Sequence, residues 1–221
     1  MSSVVGALCV SAGLAGTVLP SALRSLRRRR LRSSARRAAQ GSPRVGGHFF
    51  VVVNPHAGAG DGLIVYEEVV RPMLSSAGAT HEVAFTCGPG DAQILCADAA
   101  ARAESSRPQC IISVGGDGVL HECLNGLLAA HREGGGVAAR ASLPLAVVPA
   151  GSGNGVADSL YGRGATAVEA IAAVLGGSPQ PVDVMALRYP GSETPERLTF
   201  DLHFLCWAVF GDHDYLTENA L

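Results

Sequence analysis

Apolar residues follow two rhythms along this chain. Over residues 48–54, HFFVVVN is bulky and apolar without polar alternation, the pattern of a strand buried on both faces of a sheet. Beyond Gly58, Gly60 and Gly62 the rhythm becomes helical, with Ile64, Tyr66, Val69, Val70, Met73 and Leu74 forming one stripe. The pair then repeats. Residues 80–85 predict a second strand and 91–103 a helix. CIISV at 110–114 predicts a third strand, and Leu120, Cys123, Leu124, Leu127 and Leu128 mark the buried face of the helix after it. A strand over 143–148 and a helix over 167–175 complete the series. Alternation at this pace predicts an α/β fold with an open, mostly parallel sheet, its site built from loops at the strands' carboxyl ends.

After Pro181 the pattern changes. Residues 182–189 and 198–207 are joined by a polar turn too short for a crossover helix, so they predict an antiparallel pair. The expected division is a basic leader over 1–45, an α/β catalytic domain over 46–180, and the incomplete start of a β-rich second domain over 181–221. Two strands cannot supply a core of their own, so the chain reads as truncated at its C-terminal end.

Charge sharpens this division. The formal net charge of −2 over 221 residues conceals nine arginines between Arg24 and Arg44, with no acid before Asp61 and no lysine anywhere. Eight arginines face 19 acids in the remainder, which excludes the body as a nucleic-acid binder. In the leader a mildly apolar stretch precedes the positive run, the reverse of a secretory signal. Three readings stay open: an organellar transit peptide, a disordered basic segment that touches anionic membrane, and a short anchor. The expected location is intracellular, cytoplasmic or membrane-associated. The six cysteines (Cys9, Cys87, Cys96, Cys110, Cys123, Cys206) never form CxxC. Reduced core thiols are expected, and no metal ligands are assigned.

Candidate chemistry lies in three glycine-rich loops. The first, NPHAGAG at 54–60, lacks the GK[ST] ending of a P-loop and misses the GxGxxG spacing, so both of those nucleotide folds are excluded. The second is Gly115, Gly116, Asp117, Gly118 between a buried strand and a helix. Glycines let backbone N–H groups approach anionic oxygens, and a helix N-terminus favours them. Asp117 is then anomalous. It either bridges through Mg²⁺ or orients an incoming hydroxyl, or else it caps a helix beginning at Val119. The third loop is PAGSGN at 149–154, where Ser152 can donate a hydroxyl and Asn154 can tie one loop to another. Three such loops on one edge point to a nucleotide-polyphosphate site.

These motifs, in this order, resemble the catalytic domain of the diacylglycerol kinase family: NPHAGAG, TxxxGDA from Thr86 to Ala92, VGGDGVLHECLNGL at 114–127 and PAGSGN. NAD kinases share a GGDG loop but differ elsewhere. The HExxNGL run from His121, PVDVMAL at 181–187 and the stretch ending at Asp214 are most similar to sphingosine kinases within that family. The resemblance implies an ATP- and Mg²⁺-dependent lipid kinase that phosphorylates the primary hydroxyl of a sphingoid base at a transient membrane surface. Its nucleotide residues would be Asn54, His56, Gly58, Gly60, Thr86, Gly115, Gly116, Gly118, Gly151, Ser152 and Gly153. Asp117 would be the catalytic residue, and Asp214 would bind the amino-alcohol head of the lipid. Two alternatives stand beside this: a diacylglycerol kinase, and a truncated noncatalytic nucleotide-binding protein. The sequence departs from the pattern in the first loop, where relatives carry basic residues and this chain has His56 and Ala59. Ala208 likewise replaces a common glycine after Trp207. His121 and Glu122 lack the second histidine of HExxH. For these two the expectation is a polar face residue and a loop-orienting acid. His203, Trp207 and Phe210 are expected in core packing and His213 in a solvated turn.

Overall fold

A computed structural model of the protein describes residues 21–41, 45–102, 107–129, 143–188 and 198–202. Four parallel strands form its main sheet: β1 (His48–Val53), β2 (Thr80–Phe85), β3 (Cys110–Gly115) and β4 (Leu145–Pro149), in the order β2-β1-β3-β4. Val53 pairs with Phe85 on one side and with Val114 on the other, so three strand ends finish level. The chain leaves β1 toward β2 and returns to place β3 on β1's opposite side. A topological switch point therefore opens between the carboxyl ends of β1 and β3.

Strand alternation sorts the core into two halves. Phe49, Val51 and Val53 face Met73, Leu74 and Ile171, while Phe50 and Val52 face Cys96, Cys123 and Leu127. The first layer is α2 (residues 62–76) with α6 (Ala167–Gly176), and the second is α3 (Asp91–Ala100) with α4 (Asp117–Ala129). α2 carries a π turn over Tyr66–Val70 immediately before Arg71 and Pro72. Proline has no N–H to donate and its ring clashes with the carbonyl four residues earlier, so the widened turn accommodates it. α6 begins with a capping box between Thr166 and Glu169. In the second layer a Cβ on Gly126 would lie 2.1 Å from the Gln93 carbonyl oxygen, which explains a glycine inside α4: the two helices meet backbone to backbone.

Two helices were not anticipated. α1 (Ser21–Gly41) lies within the arginine-rich leader, and α5 (Gly155–Tyr161) follows the third loop. Outside the first layer, α1 packs on α2 and α6 through Ala35, 1% exposed, with Leu31 and Ala38 beside it. Arg27 binds Asp61 at 2.5 Å, and the Arg32 guanidinium holds Glu68 in a two-bonded fork at 2.6 and 2.9 Å. Asp61 and Glu68 are both buried. Arg32 therefore holds the Glu68 carboxyl below its ordinary range, against the opposing effect of burial.

The expected antiparallel pair is present but shorter: β5 (Met185–Arg188) and β6 (Leu198–Asp201), with Ala186 opposite Phe200. β6 docks on α4. The buried Asn125 amide accepts from Phe200 N and donates to Phe200 O, both at 2.9 Å, as a neighbouring strand would. Residues 203–221, with His203, Trp207, Phe210, His213 and Asp214, lie outside the described residues.

Candidate functional site

All three glycine loops converge at the carboxyl edge of the sheet. In the first, Asn54 Oδ1 accepts from His56 N at 2.9 Å and Asn54 N donates to Val114 O at 3.0 Å, so the loop turns away from β1 while remaining tied to β3. Gly58 has φ +59, and a Cβ there would lie 2.8 Å from Ala150 O in the third loop. Loops two and three are closer still. A Cβ on Gly151 would lie 2.4 Å from Gly116 Cα, and Asp117 N donates to Gly153 O at 3.2 Å. Gly115 is required for another reason: its Cβ would collide with Val119. Gly60, Gly118, Ser152 and Gly153 are exposed on this edge.

Asn154 departs from expectation. Its amide accepts from Gly151 N at 3.1 Å and donates to Gly151 O at 2.7 Å, closing its own loop rather than joining two loops. The spacing of three residues is short enough for a self-closing turn, and the two loops already meet through glycine backbone.

Asp117 joins them instead. It is the first residue of α4, two residues before the anticipated start, and its carboxylate reaches across to α5. Oδ2 accepts from Gly155 N at 2.7 Å and Oδ1 from Val156 N at 3.1 Å. The expected cap of a helix beginning at Val119 is not what forms, because that helix already starts at Asp117, and the carboxylate instead binds the first N–H groups of α5. Two oxygens fixed by two backbone donors have one orientation, and each keeps a lone pair for another ligand.

Two clefts meet at the neighbouring Gly118. The first, about 350 Å³, is bordered by Asn54, His56, Thr86, Gly88, Gly118 and Glu122. Thr86 is buried, and its hydroxyl has no protein partner among the described residues. Asp91 shapes the same wall by accepting from Cys87 N and Gly88 N at 2.7 and 3.0 Å. Glu122 accepts from Ala92 N at 3.2 Å and so fixes the start of α3 against α4, in accord with its expected orienting part. The second cleft, about 370 Å³, is lined by Asp117, Gly118, His121, Asp201 and the apolar Leu120, Leu124, Val156 and Leu202. His121 Nδ1 lies 3.4 Å from Asp201 Oδ2. Gly118 borders both clefts, and Asp117 beside it lines the second.

Sequence reasoning left Asp91, Asn125 and Asp201 without roles. Asp91 was visible as the acid of TxxxGDA, and Asn125 as the polar residue on an otherwise buried helix face. Asp201 had no signal, because only the docking of β6 on α4 brings it to His121. Among the cysteines, Cys96 and Cys123 are buried free thiols, and their mutual hydrogen bond and burial push Cys123 well up. Burial likewise pushes the Cys110 thiol up to about 12. Cys87 differs: it is exposed and borders the first cleft.

The sequence matches the diacylglycerol kinase catalytic domain over residues 48–187. It is 31% identical over 171 residues to sphingoid long chain base kinase 4 of Schizosaccharomyces pombe, covering 77% of this chain and 34% of that protein. Sphingoid long-chain bases kinase 1 of Arabidopsis thaliana is 36% identical over 127 residues, covering 58% and 16%. Ceramide kinase of Mus musculus is 26% identical over 173 residues, covering 75% and 31%. The chain thus spans about a third or less of the length of these relatives. With the three loops meeting at the switch point of a parallel sheet and the match running through all of them, the chain belongs to the diacylglycerol kinase catalytic domain family.

Proposed function

We propose that this domain binds ATP in the first cleft and transfers its γ-phosphate to the primary hydroxyl of a sphingoid base lying in the second. The position of Asp117 carries the reading: a carboxylate held by Gly155 N and Val156 N, lining the second cleft next to Gly118, where the two clefts meet. A polyphosphate suits the mouth of the first cleft, where Gly88 and Gly118 leave backbone uncovered beside Asn54, His56 and Thr86, and Gly58, Gly116 and Gly151 let the three loops close on one another behind it. Gly115, Gly118, Ser152 and Gly153 belong to the same turns, while Asn54, His56 and Thr86 border the nucleotide.

Asp117 orients the acceptor hydroxyl and takes its proton. A carboxylate is a weak base toward an alcohol, so the proton moves late, as the new O–P bond forms, and positioning contributes most of the rate. A single in-line displacement inverts the configuration at phosphorus. Mg²⁺ fits as a nucleotide-borne ion, since such sites use one or two carboxylates plus phosphate oxygens. Asp117 supplies a carboxylate here, and no cluster of three potential metal-binding side chains exists among the described residues. When bound, the ion would offset the phosphate charge that this lysine-free chain leaves unopposed.

The sphingoid-base assignment rests on likeness to the relatives named for that substrate, on the apolar lining of the second cleft, and on Asp214 as a partner for the substrate ammonium. Incubation with Mg-ATP and separate sphingosine, ceramide and diacylglycerol, read by mass spectrometry, tests it. Phosphosphingosine as the main product supports the reading. Phosphatidic acid as the main product would replace it with the diacylglycerol kinase alternative, and ATP binding without any transfer would favour the noncatalytic one.

A further inference from the structure

The arginine-rich helix has two different faces. Arg27 and Arg32 turn inward to buried acids, while Leu31, Ala35 and Ala38 pack on the first helix layer. Helical spacing places Arg29, Arg30, Arg36 and Arg37 on the opposite side with Leu26, and all five are exposed. No acidic residue occurs anywhere in α1. Among the described residues α1 is the outermost layer of its side, so this stripe faces away from the rest of them.

Its position relative to the site is fixed. Asp61 directly follows Gly60 of the first loop, so the Arg27 contact sets the start of α1 beside the carboxyl edge of the sheet. Glu68 lies further along α2 and holds Arg32, so the two helices run in the same direction, away from that edge. The cationic stripe therefore begins at the side of the molecule where the clefts open.

We infer that the outer face of α1 is a docking surface for an anionic lipid bilayer. Charge complementarity selects the partner class, because four arginines held on one face of a fixed helix each gain from a negative surface potential. Leu26, 54% exposed among those arginines, supplies an apolar side chain at headgroup depth. The acidic remainder of the chain opposes a nucleic-acid polyanion, which would have to follow a basic path across the body. This inference stands apart from the choice of substrate, since vesicle binding requires no turnover.

The test is co-sedimentation of the full chain with vesicles of phosphatidylcholine alone or with added phosphatidylserine, at low and high salt. The expected result is binding to the anionic vesicles only, weakened by salt. Arg29→Gln, Arg30→Gln, Arg36→Gln and Arg37→Gln combined should weaken it about tenfold or more, with an unchanged melting temperature because Arg27 and Arg32 remain in place. Single Arg29→Gln and Arg36→Gln variants, each with a smaller loss, guard against a folding artefact. Equal binding to neutral vesicles, no vesicle binding, undiminished binding by the combined variant, or preference for RNA over anionic vesicles would each overturn the inference.

Discussion

The carboxyl edge of the sheet and helix α1 lie within one contact of each other, yet they are held by opposite means. At the edge, loops meet backbone to backbone: Gly151 against Gly116, Gly58 against Ala150, and Asp117 N on Gly153 O. There is no room for a Cβ and little for adjustment. Helix α1 is joined by long side chains, Arg27 to Asp61 and Arg32 to Glu68, over a small apolar contact. A backbone-built site is rigid and insensitive to pH and salt, whereas an ion-paired helix can be titrated or screened. The difference suits the two tasks assigned above: positioning reacting groups in one place and meeting a charged surface in the other.

Breaking the edge should have the largest effect. In Gly116→Ala the new methyl would lie 2.7 Å from Gly153 O and 3.2 Å from Gly151 Cα. Both neighbours are backbone, so the loops must separate. Displacement of about 1 Å in a positioned site costs roughly a hundredfold in rate, so phosphotransfer should fall on that scale, with weakened ATP binding by calorimetry. Next comes Gly126→Ala, which forces α3 from α4 and should destabilise by about 1–3 kcal/mol in denaturant titration, with nucleotide affinity changed far less than in Gly116→Ala.

Asn125→Ala occupies the middle of the comparison, since a side chain there imitates backbone. It leaves Phe200 N and O unpaired and should cost about 1–2 kcal/mol. Hydrogen exchange would read this as lost protection at Phe200, with β1 and β3 unaltered. The smallest effect belongs to α1. Glu68 has a lowered folded-state pKa, so its pairing contributes stability above the ordinary value of 4.5 and loses it as pH falls through the lowered one. Arg32→Gln should therefore lower the melting temperature at neutral pH, with the gap to the unmutated chain closing in acid. A gap independent of pH would show that Arg32 acts by packing alone.

Most of the sheet was legible because its strands are buried on both faces and its helices carry clear stripes. Residues 48–54 and 110–114 closely match β1 and β3 for that reason. Helix α1 was hidden because its apolar face is narrow, Leu31, Ala35 and Ala38 among arginines, and its stability comes from tertiary ion pairs. α5 was missed because it spans only seven residues and follows a glycine turn. Within the site, loop positions followed from strand ends. The reach of Asp117 to Gly155 could not, since the two are 38 residues apart in the chain and only the β3–β4 pairing brings the loops together. The same holds for Asn125 and Phe200, 75 residues apart.

The central claim, that Asp117 orients the acceptor hydroxyl and takes its proton, is tested most directly by Asp117→Asn. ATP affinity and phosphotransfer to sphingosine should be measured on the same preparations. The account predicts ATP affinity within a few-fold of the unmutated chain and transfer reduced by about a hundredfold or more. Transfer that persists in the variant, or the absence of transfer by the unmutated chain, would contradict it.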